Sequence, residues 1–184
     1  NNPHHCFDLF EHSLETVAHI NTEEVQTSVE LLHLAAFLHD VGKPAVMQEK
    51  DGRQVYYGHP QKSAEIAEKL LRASGEYDED DIALVSFFVA HHDDFVNFVS
   101  PSEEYPKENP YLRPITHENV FGHIIANPAP SWKGDKPIWN DLLLLCKADA
   151  SSQSETVFLN GVEIPYYSRK YKLYKLELIQ KIIK

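Results

Sequence analysis

The sequence predicts an all-α fold carrying one or two small β-hairpins. Three observations lead there. Apolar residues recur at helical spacing along most of the 184 residues. Strand-like patterning is confined to two short stretches, "RQVYYG" at 53–58 and "TVFLNGVEIP" at 156–165. No internal repeat or low-complexity tract points to a solenoid or a disordered segment.

The elements follow in order. Phe7, Phe10, Leu14 and Val17 trace one helical face, and Val29, Leu32, Ala35, Ala36 and Phe37 trace a second. Gly42 and Pro44 supply a stop signal after that second helix. A third helix is expected from about 61 to 72, with Ala64, Ile66, Ala67, Leu70 and Leu71 apolar. A fourth starts in "DEDD" at 78–81, where carboxylates suit a helix amino terminus, and carries Ile82, Val85, Phe88 and Val89. Prolines at 101, 106, 110, 114, 128 and 130 then make the chain irregular, apart from one short helix from Thr116, as cap, to about Ala126. Asp135 and Pro137 begin a helix running through Lys147 to Ala150. Asn160-Gly161 marks a hairpin turn. In the terminal "SRKYKLYKLELIQKIIK", Tyr171, Tyr174, Leu178 and Ile182 fall at helical spacing among lysines, as in an amphipathic helix packed on a core.

Composition bounds the function. With 42% hydrophobic and 24% charged residues, the chain reads as one folded domain over 1–184, the proline-rich 100–136 being an elaboration near its site. The longest apolar run, "LLLLC" at 142–146, is far short of the roughly 20 residues a membrane span needs, so no membrane partner is expected. The amino-terminal "NNPHHCFDLFEH" lacks a basic region followed by an apolar stretch, so no export signal is visible. Cys6 and Cys146 read as reduced packing residues, and the expected location is cytoplasmic. A net charge of −11 opposes unaided nucleic-acid binding, which relies on clustered Lys and Arg. The pattern sets no oligomeric state.

"LAAFLHDVGKP" at 34–44 ends a helix built for burial on two metal-competent groups, His39 and Asp40. His12 sits among Phe10, Leu14 and Val17; His59 precedes the third helix; His91 and His92 end the fourth; Asp149 closes the late helix. A single histidine on a half-apolar helix is ordinarily a hydrogen-bonded packing residue, and His4, His5, His19, His33, His117 and His123 take that role. A set of such groups terminating apolar helices is different, because buried charges are costly unless paired or metal-bound. Mixed imidazole and carboxylate ligands suit Mn, Fe, Ni, Zn or Mg, as one ion or two.

The order His12, then His39-Asp40, then Asp149 on a helical chain resembles the HD superfamily of metal-dependent phosphohydrolases. The segments "FEHSLETV", "LAAFLHDVGKP", "GHPQKSAEIAEKLL", "VAHH" and "ADASSQ" are similar, in that order, to the HD domain of bacterial tRNA nucleotidyltransferases, the CCA-adding enzymes. No catalytic head with paired aspartates after a glycine-rich strand accompanies them, so polymerisation is not implied. The resemblance implies an HD-type helical bundle in which His12, His39, Asp40 and Asp149 hold one metal. It further implies that His59 and His91, with His92 as neighbour, hold a second metal or a phosphate, and that Lys43 contacts phosphate. Asp40 would both bind the ion and orient the attacking water. The activity implied is hydrolysis of a phosphomonoester or cyclic phosphodiester, 2′-nucleotides and 2′,3′-cyclic nucleotides being favoured as small substrates. The alternatives are a regulatory module that binds a nucleotide without turnover, and an accessory module that positions RNA for a partner enzyme. The complete ligand set favours catalysis.

Overall fold

The computed structural model describes residues 8–102, 109–134, 136–153, 156–159, 162–165 and 167–184. His4, His5, Cys6, Phe7, Pro106, Asp135 and the Asn160-Gly161 turn lie outside the described residues. Helices dominate: α1 (Leu9–Ala18), α2 (Val29–Leu38), α3 (Lys43–Val46), α4 (His59–Ser74), α5 (Glu79–His91), α6 (His117–Ala126), α7 (Ile138–Ser151) and α8 (Tyr167–Ile183), with a 3-10 turn at Thr22–Glu24. Local chemistry sets their ends. Asp8, Ser28, Asp78 and Thr116 each accept a hydrogen bond from the backbone N–H three residues on, at 2.9, 3.3, 2.8 and 3.1 Å. Helix α4 stops at Gly75, whose φ of 70° is the left-handed cap conformation that costs glycine little.

Strands are minor. β1 (Gln48–Lys50) and β2 (Arg53–Val55) form an antiparallel hairpin closed by Asp51-Gly52, both at positive φ (53° and 72°). The polar β1 gives no strand signal of its own; the Asp-Gly pair is what announces it. β5 (Thr156–Leu159) and β6 (Val162–Pro165) form the second hairpin. Between them, β3 (Phe98–Val99) and β4 (Arg113–Pro114) make a two-residue parallel pairing that the sequence did not suggest.

Helices α2, α5 and α7 form the middle of the bundle; α1 and α8 pack on α7, and α4 packs on α5. Leu32, Ala35 and Ala36 of α2, Leu84, Val85, Phe88 and Val89 of α5, and Leu142, Leu143 and Leu145 of α7 are sealed from solvent, joined by Ile179 of α8. Burying each large side chain contributes about 1.5–3 kcal/mol, which makes this contact the main source of stability.

Two helices sit differently from the expected registration. Helix α1 buries His12, Ser13 and Thr16, while Phe10 and Leu14 are 60% and 46% exposed. The turned-in hydroxyls are satisfied locally, Thr16 Oγ1 donating to His12 O and Ser13 Oγ to Leu9 O, so the polar face is affordable inside and delivers His12 to the interior. On α8 the buried stripe is Lys175, Leu176, Ile179 and Gln180, and Tyr174 is exposed. Lys175 donates to the carbonyls of Val96 and Phe98, at 3.1 and 2.5 Å, which makes its burial tolerable.

Candidate metal centre

The polar groups singled out at the helix ends come together. His12 reaches inward from the second turn of α1, and His39 caps α2 with Asp40 next to it. His59 is the first residue of α4, His92 caps α5, and Asp149 lies in the last turn of α7. Gly42 makes this convergence possible in a way other than a left-handed stop. Its φ is −82°, an ordinary helical value, but a Cβ there would lie 2.5 Å from Ser63 N. Instead Gly42 N donates to Ser63 Oγ at 2.9 Å, drawing the His39–Lys43 segment against α4 and bringing His59 to Asp40.

Two overlapping groups could hold a cation: His12, His39 and Asp40, and Asp40, His59 and His92, with the ligand atoms of each group within 4.8 Å of one another. Asp40 is common to both. Asp149 adjoins the first group, its Oδ1 lying 2.9 Å from His12 Nε2 and 3.5 Å from His39 Nε2. Asp93 adjoins the second, its Oδ2 lying 3.3 Å from His59 Nε2.

The tautomers are fixed by second contacts. His39 Nδ1 donates to Ala36 O (2.7 Å), His59 Nδ1 to Tyr56 O (3.0 Å) and His92 Nδ1 to Val89 O (2.7 Å). A carbonyl can only accept, so each Nδ1 carries a proton and each Nε2 points its lone pair into the cluster. Buried His39 Nε2 and Asp40 Oδ1 make no hydrogen bond of normal geometry. Orphaned buried acceptors of this kind are rare unless a cation or proton sits among them, and imidazole with carboxylate is a suitable donor set for a divalent transition ion.

Electrostatics agree. Burial opposes charge on His39, but Asp40 and Asp149 outweigh it and raise its pKa well above the usual 6.5. His92 is raised likewise, against burial, by Asp93 and Asp40. Burial also opposes ionisation of Asp40 and Asp149, yet the facing imidazoles hold both well below the ordinary carboxylate range. Lys43 Nζ pairs with Asp40 Oδ2 and stands over the Tyr56 ring, 5.9 Å from its centroid. Cys146 is a bystander behind the cluster: its thiol donates to His92 O at 3.2 Å, and burial pushes its pKa well above 9.

Of the adjacent pair His91-His92, the structure brings only His92 to the cluster. His91 points away, since the two side chains project about 100° apart on a helix. Its Nδ1 donates to Asp94 Oδ2 at 2.6 Å, and the same oxygen accepts from His123 Nε2 at 2.7 Å. His91 therefore ties the end of α5 to α6.

The cluster opens to a cleft of about 560 Å³ lined by Asp40, Lys43, His59, His92, Asp93 and Asp149, together with Tyr56, Tyr57, Gln153 and Lys172. Asp93, the tyrosines, Gln153 and Lys172 are residues that sequence reasoning missed. The "HHDD" run at 91–94 was the available signal for Asp93; the rest depend on how α8 and the β1–β2 hairpin fold over the site. None of the described residues of 100–136 lines the cleft. That segment instead packs α6 against α8, with Trp132 Nε1 donating to Asp81 at 2.8 Å.

A helical bundle whose helix ends bring histidines and aspartates to one buried, metal-competent centre is the architecture of an HD domain. The HD domain family model matches residues 9–152, and the chain belongs to that family, within the superfamily of metal-dependent phosphohydrolases. An A-adding tRNA nucleotidyltransferase from Deinococcus radiodurans is 36% identical over 69 residues, covering 36% of this chain and 16% of that protein. The chain thus corresponds to a small part of that relative's length. No solved structure matches. Among the described residues, no helix is long and apolar enough to cross a membrane.

Proposed function

We propose that the chain hydrolyses a phosphomonoester or a 2′,3′-cyclic phosphodiester of a nucleotide at this centre. The observation that carries the reading is the convergence of the His39, His59 and His92 Nε2 atoms, each ring fixed by an Nδ1 bond to the carbonyl three residues before it, on the shared carboxylate of Asp40. His12, His39, Asp40 and Asp149 would hold one ion, and Asp40, His59 and His92 a second. A divalent ion bound there supplies Lewis acidity and makes water a nucleophile near neutral pH.

The chain's own residues do the rest. Asp40 Oδ1 faces the His59 and His92 side of the cluster and can accept a hydrogen bond from the attacking water, orienting it. Lys43, on the cleft wall, meets a phosphate oxygen as a point charge. Tyr56 and Tyr57 offer aromatic surface for a base. Local attraction of this kind is needed because the chain as a whole, at −11, repels anions.

The test is phosphate or nucleoside release from 2′-, 3′- and 5′-nucleotides and 2′,3′-cyclic nucleotides, with Mn, Mg, Ni and Fe supplied separately. Turnover should need metal, vanish with chelator and fall by orders of magnitude in Asp40→Ala. Saturable binding without turnover under every metal would instead make the chain a nucleotide-binding regulatory module.

A further inference from the structure

Two lysines line the cleft, and they are differently engaged. Lys43 is ion-paired with Asp40 inside the cluster. Lys172, from α8, donates to Gln153 Oε1 at 2.9 Å and, among the described residues, pairs with no carboxylate. Gln153 is itself buried, so the amide is a fixed anchor. A neutral amide orients the ammonium without cancelling its charge. A lysine serving only to neutralise the acidic floor would form an ion pair with Asp93 or Asp149, which line the same cleft; Lys172 forms neither.

Lys172 lies on α8, beyond residues 9–152, the part that matches the HD family model. The cleft, about 560 Å³, falls within the range of pockets that enclose a whole small ligand and exceeds what one phosphate would fill. With one phosphate at the metal centre beside Lys43, Lys172 is a second cation on the same cleft, available to the remainder of the substrate.

We propose that Lys172, held by Gln153, binds a second phosphate of the substrate, so that the site prefers a small nucleotide with phosphates at two positions over one with a single phosphate. This rests on the reading of the centre given above. The second phosphate can come from a nucleoside bisphosphate or from the internal phosphodiester of a short oligonucleotide. The net charge of −11, which repels longer polyanions, favours the bisphosphate.

The experiment compares adenosine 2′,5′- and 3′,5′-bisphosphate with 2′-, 3′- and 5′-AMP and with the dinucleotide ApAp. It reads kcat/KM by turnover and Kd by calorimetry, in the wild type, Lys172→Gln and Lys172→Arg. The wild type should favour a bisphosphate over its matching monophosphate by roughly tenfold or more, the worth of one charge-assisted contact. Lys172→Gln should abolish most of that ratio, and Lys172→Arg should keep it. A wild type indifferent to the second phosphate, or a Lys172→Gln variant that weakens both classes equally, overturns the proposal. Preference for ApAp over both bisphosphates overturns the small-nucleotide assignment. If no nucleotide is hydrolysed, the hydrolase reading fails by itself, while the ratio of Kd values still decides the role of Lys172.

Discussion

His59 Nε2 and His92 Nε2 face each other at 3.2 Å, although both rings have already given their Nδ1 hydrogen to a carbonyl of their own segment. Two lone pairs cannot hold that separation without a cation or a proton between or beside them. The pair, with Asp40 Oδ1 3.2 Å from His59 Nε2, belongs to the second of the two groups that could hold a cation.

Substitution separates the two adjacent histidines of α5. His92→Ala should lower the metal stoichiometry or affinity of the protein. His91→Ala should leave metal content unchanged and cost about 1 kcal/mol in denaturant unfolding, through the lost bond to Asp94. Metal analysis of both variants checks this, and loss of metal in His91→Ala alone would reverse the assignment.

Metal affinity should rise with pH. In the metal-free protein His39 and His92 hold protons above the usual 6.5, because the neighbouring carboxylates outweigh burial, and a metal must displace them. Asp40 and Asp149, held below the ordinary range, are already ionised and release nothing near neutrality. Calorimetry in buffers of different ionisation enthalpy should show proton release that fades above the raised histidine values; a buffer-independent heat at neutral pH would contradict it. The same shifts set the metal-free stability. The histidine contribution is complete below pH 6.5 and is lost as pH rises through the folded values. The carboxylate contribution is present above about pH 4 and is lost as pH falls through the folded values.

Gly42→Ala should destabilise the fold by about 1–3 kcal/mol, since the added methyl must push the His39–Lys43 segment off the α4 backbone at Ser63. Because that contact also sets His59 against Asp40, metal affinity should fall with it. Urea unfolding with and without chelator measures both effects, and an unchanged midpoint would show that the segment relaxes freely.

Lys43→Ala should raise KM for phosphate substrates about tenfold while changing kcat less, as expected for removal of a point-charge contact outside the ligand set. Steady-state kinetics on the best substrate of the nucleotide panel reads it. A collapse of kcat at constant KM would place Lys43 in the chemical step instead.

Much of this was legible in the sequence because helix ends are written locally. Asp78 and Thr116 cap where their residue types say they should, and the His39-Asp40 and Asp149 positions stand out as polar groups closing apolar runs. What was not legible depends on tertiary placement. The apolar periodicity of α1 pointed Phe10 and Leu14 inward, yet the core takes His12, Ser13 and Thr16, because Ser13 and Thr16 satisfy their hydroxyls on their own helix. The choice between His91 and His92 turns on about 100° of helix rotation, fixed by Asp94 and His123 rather than by either residue. Lys172 lies far along the chain from the signature and reaches the cleft only through the packing of α8 on α7.

The most direct measurement is the divalent metal bound per chain, by mass spectrometry on purified protein equilibrated in turn with Mn, Fe, Ni, Zn and Mg. It is to be made on the wild type and on His39→Ala, Asp40→Ala and Asp149→Ala, with circular dichroism confirming that each remains helical. The expected result is one or two equivalents in the wild type and loss of most of it in every variant. A folded wild type that retains none of these ions, or variants that keep full occupancy, would contradict the metal centre and the hydrolysis built on it.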